Sequence, residues 1–308
     1  MVTGKDANIL CKAVPFAALL FLLGLSSAVC ADDAAAKSDG GEKYLLRYKF
    51  QPGESLHWKV VQRVRVRTTV ASSTQTAETT SISEKVWQVK DVKPDGAATF
   101  EHMVQWVDMR QKLTGRNEVH YDSRTDPAPP QGFENLAQSV GIPLSIITLD
   151  AKGKISERKR NTTAKAAAAG DGEITIPLPA EPVAVGYAWS SPHDIELPLP
   201  GGGTITIKSR QTYAIESVKT GVATIRLATQ ILTPLHDPAI EAQLIQYQSA
   251  GTVRFDIDAG RIIGQQMDVD KGVVGFRGEA SSIHYLTRFT EEFQGAEAFV
   301  AERPAKNR

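Results

Sequence analysis

The sequence predicts a mainly β protein: a strongly curved antiparallel sheet or incomplete β-barrel from two related halves, with one short inserted helix. Three observations lead there. Long stretches alternate apolar and polar residues with period 2, the signature of half-buried strands. Short turn signals containing Asp and Gly separate them. Finally, several segments of the first half recur in the same order in the second.

Residues 1–31 read as a signal peptide. Lys5 and Lys12 precede an unbroken apolar run from Ala13 to Leu25, and small residues follow. The run is short for a transmembrane helix, which needs roughly 20 apolar residues. The triplet Val29-Cys30-Ala31 suits cleavage after Ala31. Lipidation at Cys30 is the lesser alternative, because Val29 and Ser27 match a lipobox poorly. Cleavage removes both cysteines, Cys11 and Cys30, and with them disulfides, thiol catalysis and thiolate metal sites. It also takes two of the 35 basic and one of the 35 acidic groups, leaving a net charge of about −1. Such a balance argues against a nucleic-acid partner, which calls for a basic footprint. The expected product is soluble in the periplasm or outside the cell.

Residues 32–43, small and polar, read as a flexible linker. The first β half spans 44–157. It opens with a strand Tyr44–Phe50 and the turn "QPGE" (51–54), then a long alternating strand. That strand carries Leu56, Trp58, Val60, Gln62, Val64, Val66, Thr68 and Val70 on one face. Strands Ser81–Val92 and Ala97–Met109 follow, joined by "KPDG". In 133–140, Phe133, Leu136, Ala137 and Val140 fall at i, i+3, i+4, i+7, which predicts the inserted helix; Gly141 and Pro143 end it. A linker covers 158–182, the second β half 183–294 and a solvated tail 295–308. The last strand, 281–293, places Ile283, Tyr285, Thr287, Phe289 and Phe293 on one face.

The repeat pairs "VKPDGAATF" (92–100) with "VKTGVATI" (218–225), "VHYDS" (119–123) with "IQYQS" (245–249), and "DAKGKI" (150–155) with "DAGRI" (258–262). Ser123 and Asp150 stand 27 positions apart, against 9 from Ser249 to Asp258, so the helix lies in an insertion confined to the first half. The Asp-Gly stretches read as tight turns. Each offers too few carboxylates for a calcium loop, and Gly153-Lys154 precedes Ile155 rather than the Ser or Thr of a phosphate loop.

Chemistry-bearing motifs are missing. There is no Gly-x-Ser-x-Gly, His-Glu-x-x-His or Gly-x-Gly-x-x-Gly, and no two of the six histidines are four apart. The sequence nominates no catalytic residue, cofactor or metal ligand. His236-Asp237 before Pro238 reads as a turn. Two binding surfaces remain. Trp58, Trp87, Trp106, Tyr121, Phe133, Leu136, Val140 and Trp189 are candidates to line a ligand cavity, against plain core packing. Lys59, Arg63, Arg65 and Arg67 form a basic row that suits a phosphate headgroup or anionic glycan, against a solvated face paired with neighbouring acids.

The order of "YKFQPGESLHW", the hairpin around "VKPDG", "VHYDS", "ITLDAKGKI", "VGYAW" and "GTVRFDIDAGRI" resembles a family of exported bacterial proteins of unknown function. In outline it is also similar to the lipoprotein-carrier half-barrels of the LolA/LppX type. That resemblance implies a curved antiparallel sheet, helices at its mouth, and acyl chains held in the concavity. The expected function is non-catalytic binding of a lipid or other amphipathic small molecule by an envelope protein. A structural or protein-interaction module of the envelope is the alternative, and a hydrolase of unrecognised type the second.

Overall fold

A computed structural model describes residues 41–161, 174–199 and 202–298. The signal peptide, both cysteines, most of the 32–43 linker and the end of the tail lie outside them. The described residues form sixteen strands: β1 (Lys43–Tyr44), β2 (Glu54–Val70), β3 (Ser73–Val92), β4 (Ala98–Leu113), β5 (Val119–Asp122), β6 (Pro143–Leu149), β7 (Ile155–Arg160), β8 (Val183–Ala184), β9 (Ala188–Pro192), β10 (Ile195–Pro198), β11 (Thr204–Ile207), β12 (Ser209–Lys219), β13 (Val222–Ile231), β14 (Ala250–Asp256), β15 (Arg261–Val274) and β16 (Ser281–Ala298). Two α-helices accompany them, α1 (Glu134–Ala137) and α2 (Pro238–Leu244).

Twelve strands form one antiparallel sheet in the order β7-β6-β4-β3-β2-β16-β15-β14-β13-β12-β9, with β5 added to β4. The order does not return to its start, so the sheet is open, with β7 and β9 at its edges. The runs β3-β4-β6-β7 and β12-β13-β14-β15 step across the sheet in the same direction, one displaced along it from the other. Their matching hairpins turn at Gly96 (φ +84°) and Gly221 (φ +76°), and again at Gly153 (φ +84°) and Gly260 (φ +64°).

The turns explain how the sheet bends. Tyr48 N–H donates to Ala151 C=O (2.8 Å) in the β6–β7 turn, and Lys49 N–H donates to Gly260 C=O (2.9 Å) in the β14–β15 turn. Neighbouring residues thus tie two turns whose strands β6 and β14 stand six places apart. In a flat sheet that separation is about 29 Å. The sheet must therefore curl around the 45–50 segment. Ring contacts repeat the bridge: Phe100 on β4 lies 6.0 Å from Phe50, Phe50 6.2 Å from Tyr48, and Tyr48 5.4 Å from Phe255 on β14.

Four expectations need correction. The segment Tyr44–Phe50 has ladder partners only at its start, where β1 pairs with β8; beyond that it crosses the sheet's inner face. Its alternation is real, since Leu46, Tyr48 and Phe50 are buried, but it reports which side chains enter the core and not a ladder. The end of the 158–182 linker also enters the core, through Ile176 and Leu178. Nor is the helix confined to the first half. The second half carries α2 in the corresponding connection, between β13 and β14. Asp237 caps α2 by accepting from Ala239 N–H (2.8 Å), and Pro238 occupies its first turn. "VHYDS" is β5 whereas "IQYQS" begins in a 3₁₀ turn (Ile245–Tyr247), so this pair of segments is not structurally equivalent.

Candidate functional site

The inner face of the sheet changes character along its length. On β3 the inward positions read Val89, Trp87, Lys85, then Ser83, Ser81, Thr79 and Ala77. The first two belong to the main core, in which Trp87 packs on Trp58 (4.7 Å) and Phe100 (4.5 Å). The last four are small and half-buried. Beside them on β2 stand Val60, Gln62, Val64 and Val66, register partners of Ser83, Ser81, Thr79 and Ala77.

Lys85 marks the change. Its Nζ donates to Glu291 Oε1 (2.6 Å) on β16 and lies over the rings of Trp58 (4.4 Å) and Trp87 (4.7 Å). Both members of the pair are nearly inaccessible, and burial holds the Lys85 ammonium below its ordinary pKa, with Glu291 opposing. On the next strand, Trp87 Nε1 donates to His102 Nδ1 (3.1 Å), so that nitrogen carries no proton. Burial, helped by the positive charges of Lys85 and Arg158, brings the His102 pKa down to about 3.

Beyond Lys85 two apolar clusters flank the strip of small residues. On one side Phe133 and Tyr121 (6.1 Å apart) pack with Leu136, Ala137 and Val140 onto Val107 and Met109 of β4. On the other, Ile245 and Ala242 pack onto Val269 and Val273 of β15 and Tyr285 of β16, reaching Val64 and Val66. Between the clusters the inward row of β3 from Ser83 to Ala77 stays short and half-buried. A trough thus runs from the Lys85–Glu291 pair to the open end. Tyr285 stands along it, its buried hydroxyl facing the Thr287 side chain. Burial holds that phenol above its usual pKa.

The residues nominated from sequence fall in four places. Trp58 and Trp87 form the closed end of the trough. Tyr121, Phe133, Leu136 and Val140 form the α1 wall; the helix there is a single turn, shorter than the expected 133–140. Trp189, on edge strand β9, packs against the main core, stacked on Tyr213 (5.4 Å), its Nε1 bonded to Pro177 C=O (2.7 Å). Trp106 points to the outer face beneath the Arg124 guanidinium (4.0 Å), which Asp122 holds at 2.7 Å. Those hydrogen bonds from Arg124 draw the Asp122 carboxyl down to about 2.

Lys59, Arg63, Arg65 and Arg67 also line the outer face. Arg65 reaches Glu78 (3.3 Å), while Arg63 lies opposite Arg288, itself held by Asp268 (2.7 Å). A shallow depression of about 300 Å³ lies on this face between Thr80, Ile82, Asp108 and Arg110. Asp108 Oδ1 accepts a hydrogen bond from His120 Nε2 at 2.9 Å. Among the described residues no three His, Cys, Asp or Glu side chains converge as a metal site would require.

Sequence reasoning missed the trough, because Ser, Thr and Ala on a strand read as ordinary surface. The usable signal was their parity with Trp87, which puts them on the core face.

No protein-family model and no curated protein matches this chain. Among solved structures, lipovitellin, studied for its lipid–protein interactions, is similar over 83% of this chain at 12% identity with a TM-score of 0.45; the chain spans 27% of lipovitellin's length. DynF from the dynemicin biosynthesis pathway of Micromonospora chersina gives 8% identity over 88% of this chain and 93% of its own, TM-score 0.21. A DUF1329 family protein from Desulfovibrio piger gives 10% identity over 82% and 88%, TM-score 0.15. At these scores the likenesses carry no inference about ligand or activity.

Proposed function

We propose that this is an exported, non-catalytic envelope protein that holds one single-chain amphiphile, such as a fatty acid, in the trough on the inner face. The observation that carries the reading is the switch on β3 from Trp87 to Ser83, Ser81, Thr79 and Ala77. A concave face lined by such small side chains cannot fill its own interior, whereas the same strands fill it completely on the Trp87 side of Lys85. From Ser83 to Ala77 the strand rises about 20 Å at ~3.3 Å per residue. Half a bilayer's hydrocarbon thickness is about 15 Å, so one acyl chain fits. Val60, Val64, Val66 and Met109 supply apolar contact.

Two measurements test the reading. Native mass spectrometry of protein extracted from its host should show an adduct of lipid mass, and a fluorescent fatty acid should bind in solution. Ser81→Trp should block the probe without lowering stability, since a half-buried position receives the ring. Bare polypeptide together with no probe uptake would leave the structural envelope module standing instead. Export is tested separately: N-terminal sequencing should begin at Asp32, and an acylated Cys30 would reverse that expectation.

A further inference from the structure

At the open end of the trough three hairpin tips meet. Ala71 N–H in the β2–β3 tip donates to Ala280 C=O (3.1 Å) after the β15–β16 tip, and Thr114 N–H in the β4–β5 tip donates to Thr76 C=O (2.9 Å). This rim carries the most exposed large apolar side chain among the described residues, Val274, at 76%. Its neighbour Phe276 is half-buried beneath the Arg277 guanidinium (5.8 Å). Val274 ends β15 opposite Ser282, just before a glycine-containing turn, and buries little of its side chain there.

The charge around it is one-sided. Arg67, Lys112, Arg116, Lys271 and Arg277 lie on or beside the three tips, against Glu118 and Glu279. Two further carboxylates lie close by, Glu78 paired with Arg65 (3.3 Å) and Asp270 beside His284 (2.8 Å), so basic groups still outnumber acidic ones, six to four. A dispersed basic rim around one protruding apolar tip suits a deformable anionic surface. A protein interface of ordinary size would require a contiguous complementary patch burying about 1,000 Å² or more, with a well-packed centre.

We propose that these hairpin tips dock the protein on an anionic lipid bilayer, Val274 entering the headgroup layer and the cations sitting over the lipid phosphates. Docked in this way, the trough opens toward the membrane. The purpose of the contact rests on the amphiphile-binding reading, but the contact itself does not. Juxtaposed cations gain affinity from anionic lipid and lose it as salt screens them.

The test is sedimentation of the host-purified protein with vesicles of phosphatidylcholine alone or mixed with phosphatidylglycerol, together with Val274→Asp and the double variant Lys271→Glu/Arg277→Glu. The wild type should bind the mixed vesicles, weaken with salt and bind neutral ones poorly. Each variant should bind at least tenfold more weakly while keeping the wild-type melting curve. Equal binding to both vesicle types, absence of binding, or binding that survives both variants would overturn the docking. Uptake of the fluorescent fatty acid from solution is measured on the same proteins. Loss of uptake with vesicle binding intact sinks the carrier reading alone; intact uptake without vesicle binding sinks only the docking.

Discussion

At Gly153 and Gly260 a single methyl group would collide with the segment that bridges the sheet. A Cβ on Gly153 would lie 2.5 Å from the Tyr48 ring and 2.6 Å from Ile176 C=O. On Gly260 it would lie 2.5 Å from the Lys49 side chain and 2.7 Å from Arg47 C=O. Both residues also have positive φ, which costs a side chain about 1–2 kcal/mol by itself. Gly53 shares the positive φ (+78°) but has open space around it. Gly153→Ala and Gly260→Ala should therefore lower the urea midpoint well beyond Gly53→Ala, which carries the backbone cost alone. Equal effects at all three sites would show that the close approach adds nothing. His102 gives a residue-scale pH prediction. Its folded pKa of about 3 lies below the ordinary 6.5, so between those values the unfolded chain binds a proton that the folded chain refuses. The stability it contributes is complete above about pH 6.5 and is lost progressively as the pH falls toward 3. Unfolding free energies measured across that range should slope for the wild type and slope less for His102→Gln.

Among the elements, the helices at equivalent places in the two halves differ in how much of them was legible. The apolar spacing of Phe133, Leu136 and Val140 pointed to α1, yet only one turn forms. Gln138 ends it, and burial in the wall is provided chiefly by Phe133. The longer α2 was hidden by Asp237-Pro238, a pair that starts turns and helices alike; the decision lay with Leu244 and Ile240, which pack against β10 and β11. Asp237→Ala should cost about 1 kcal/mol through loss of the cap. Thermal denaturation is the check, and an unchanged midpoint would mean that tertiary packing alone holds α2. Similarly, β3 runs back to Ser73 although its first residues, "STQTAETT", carry almost no apolar pattern. Pairing with β2 extends it, Thr69 bonding Thr74 (2.9 Å) across the ladder, and Ala71 and Ser72 adopt the positive φ of a tight hairpin (47° and 69°).

Over the whole molecule, the sheet's two halves are joined laterally by the β2–β16 ladder and across the interior by the 45–50 segment. The second connection predicts a dynamic signature. The amides of Tyr48 and Lys49 are bonded to the β6–β7 and β14–β15 turns, so either can exchange only when a half detaches from the bridge. Hydrogen exchange at both should approach the global unfolding rate, despite their position outside any long strand. Fast exchange at one of them would mean that the halves open separately. Tips of the β2–β3 hairpin should exchange early by comparison, having no core cluster beneath them.

The sequence by itself determined the fold class, the long strands, and the two pairs of equivalent turns, because period-2 patterning and Asp-Gly turn chemistry are local properties of the chain. It could also set Trp87 and Ser81 on the same face of one strand by parity. Only the tertiary structure decided that this face is filled at Trp87 and open at Ser81, since filling depends on what arrives from elsewhere: Phe50 and Tyr48 from the bridge at one end, two flanking helices at the other. Burial of the Lys85–Glu291 pair was equally beyond the sequence. Its members are 206 residues apart, and a charge's environment is set by the strands that happen to close over it.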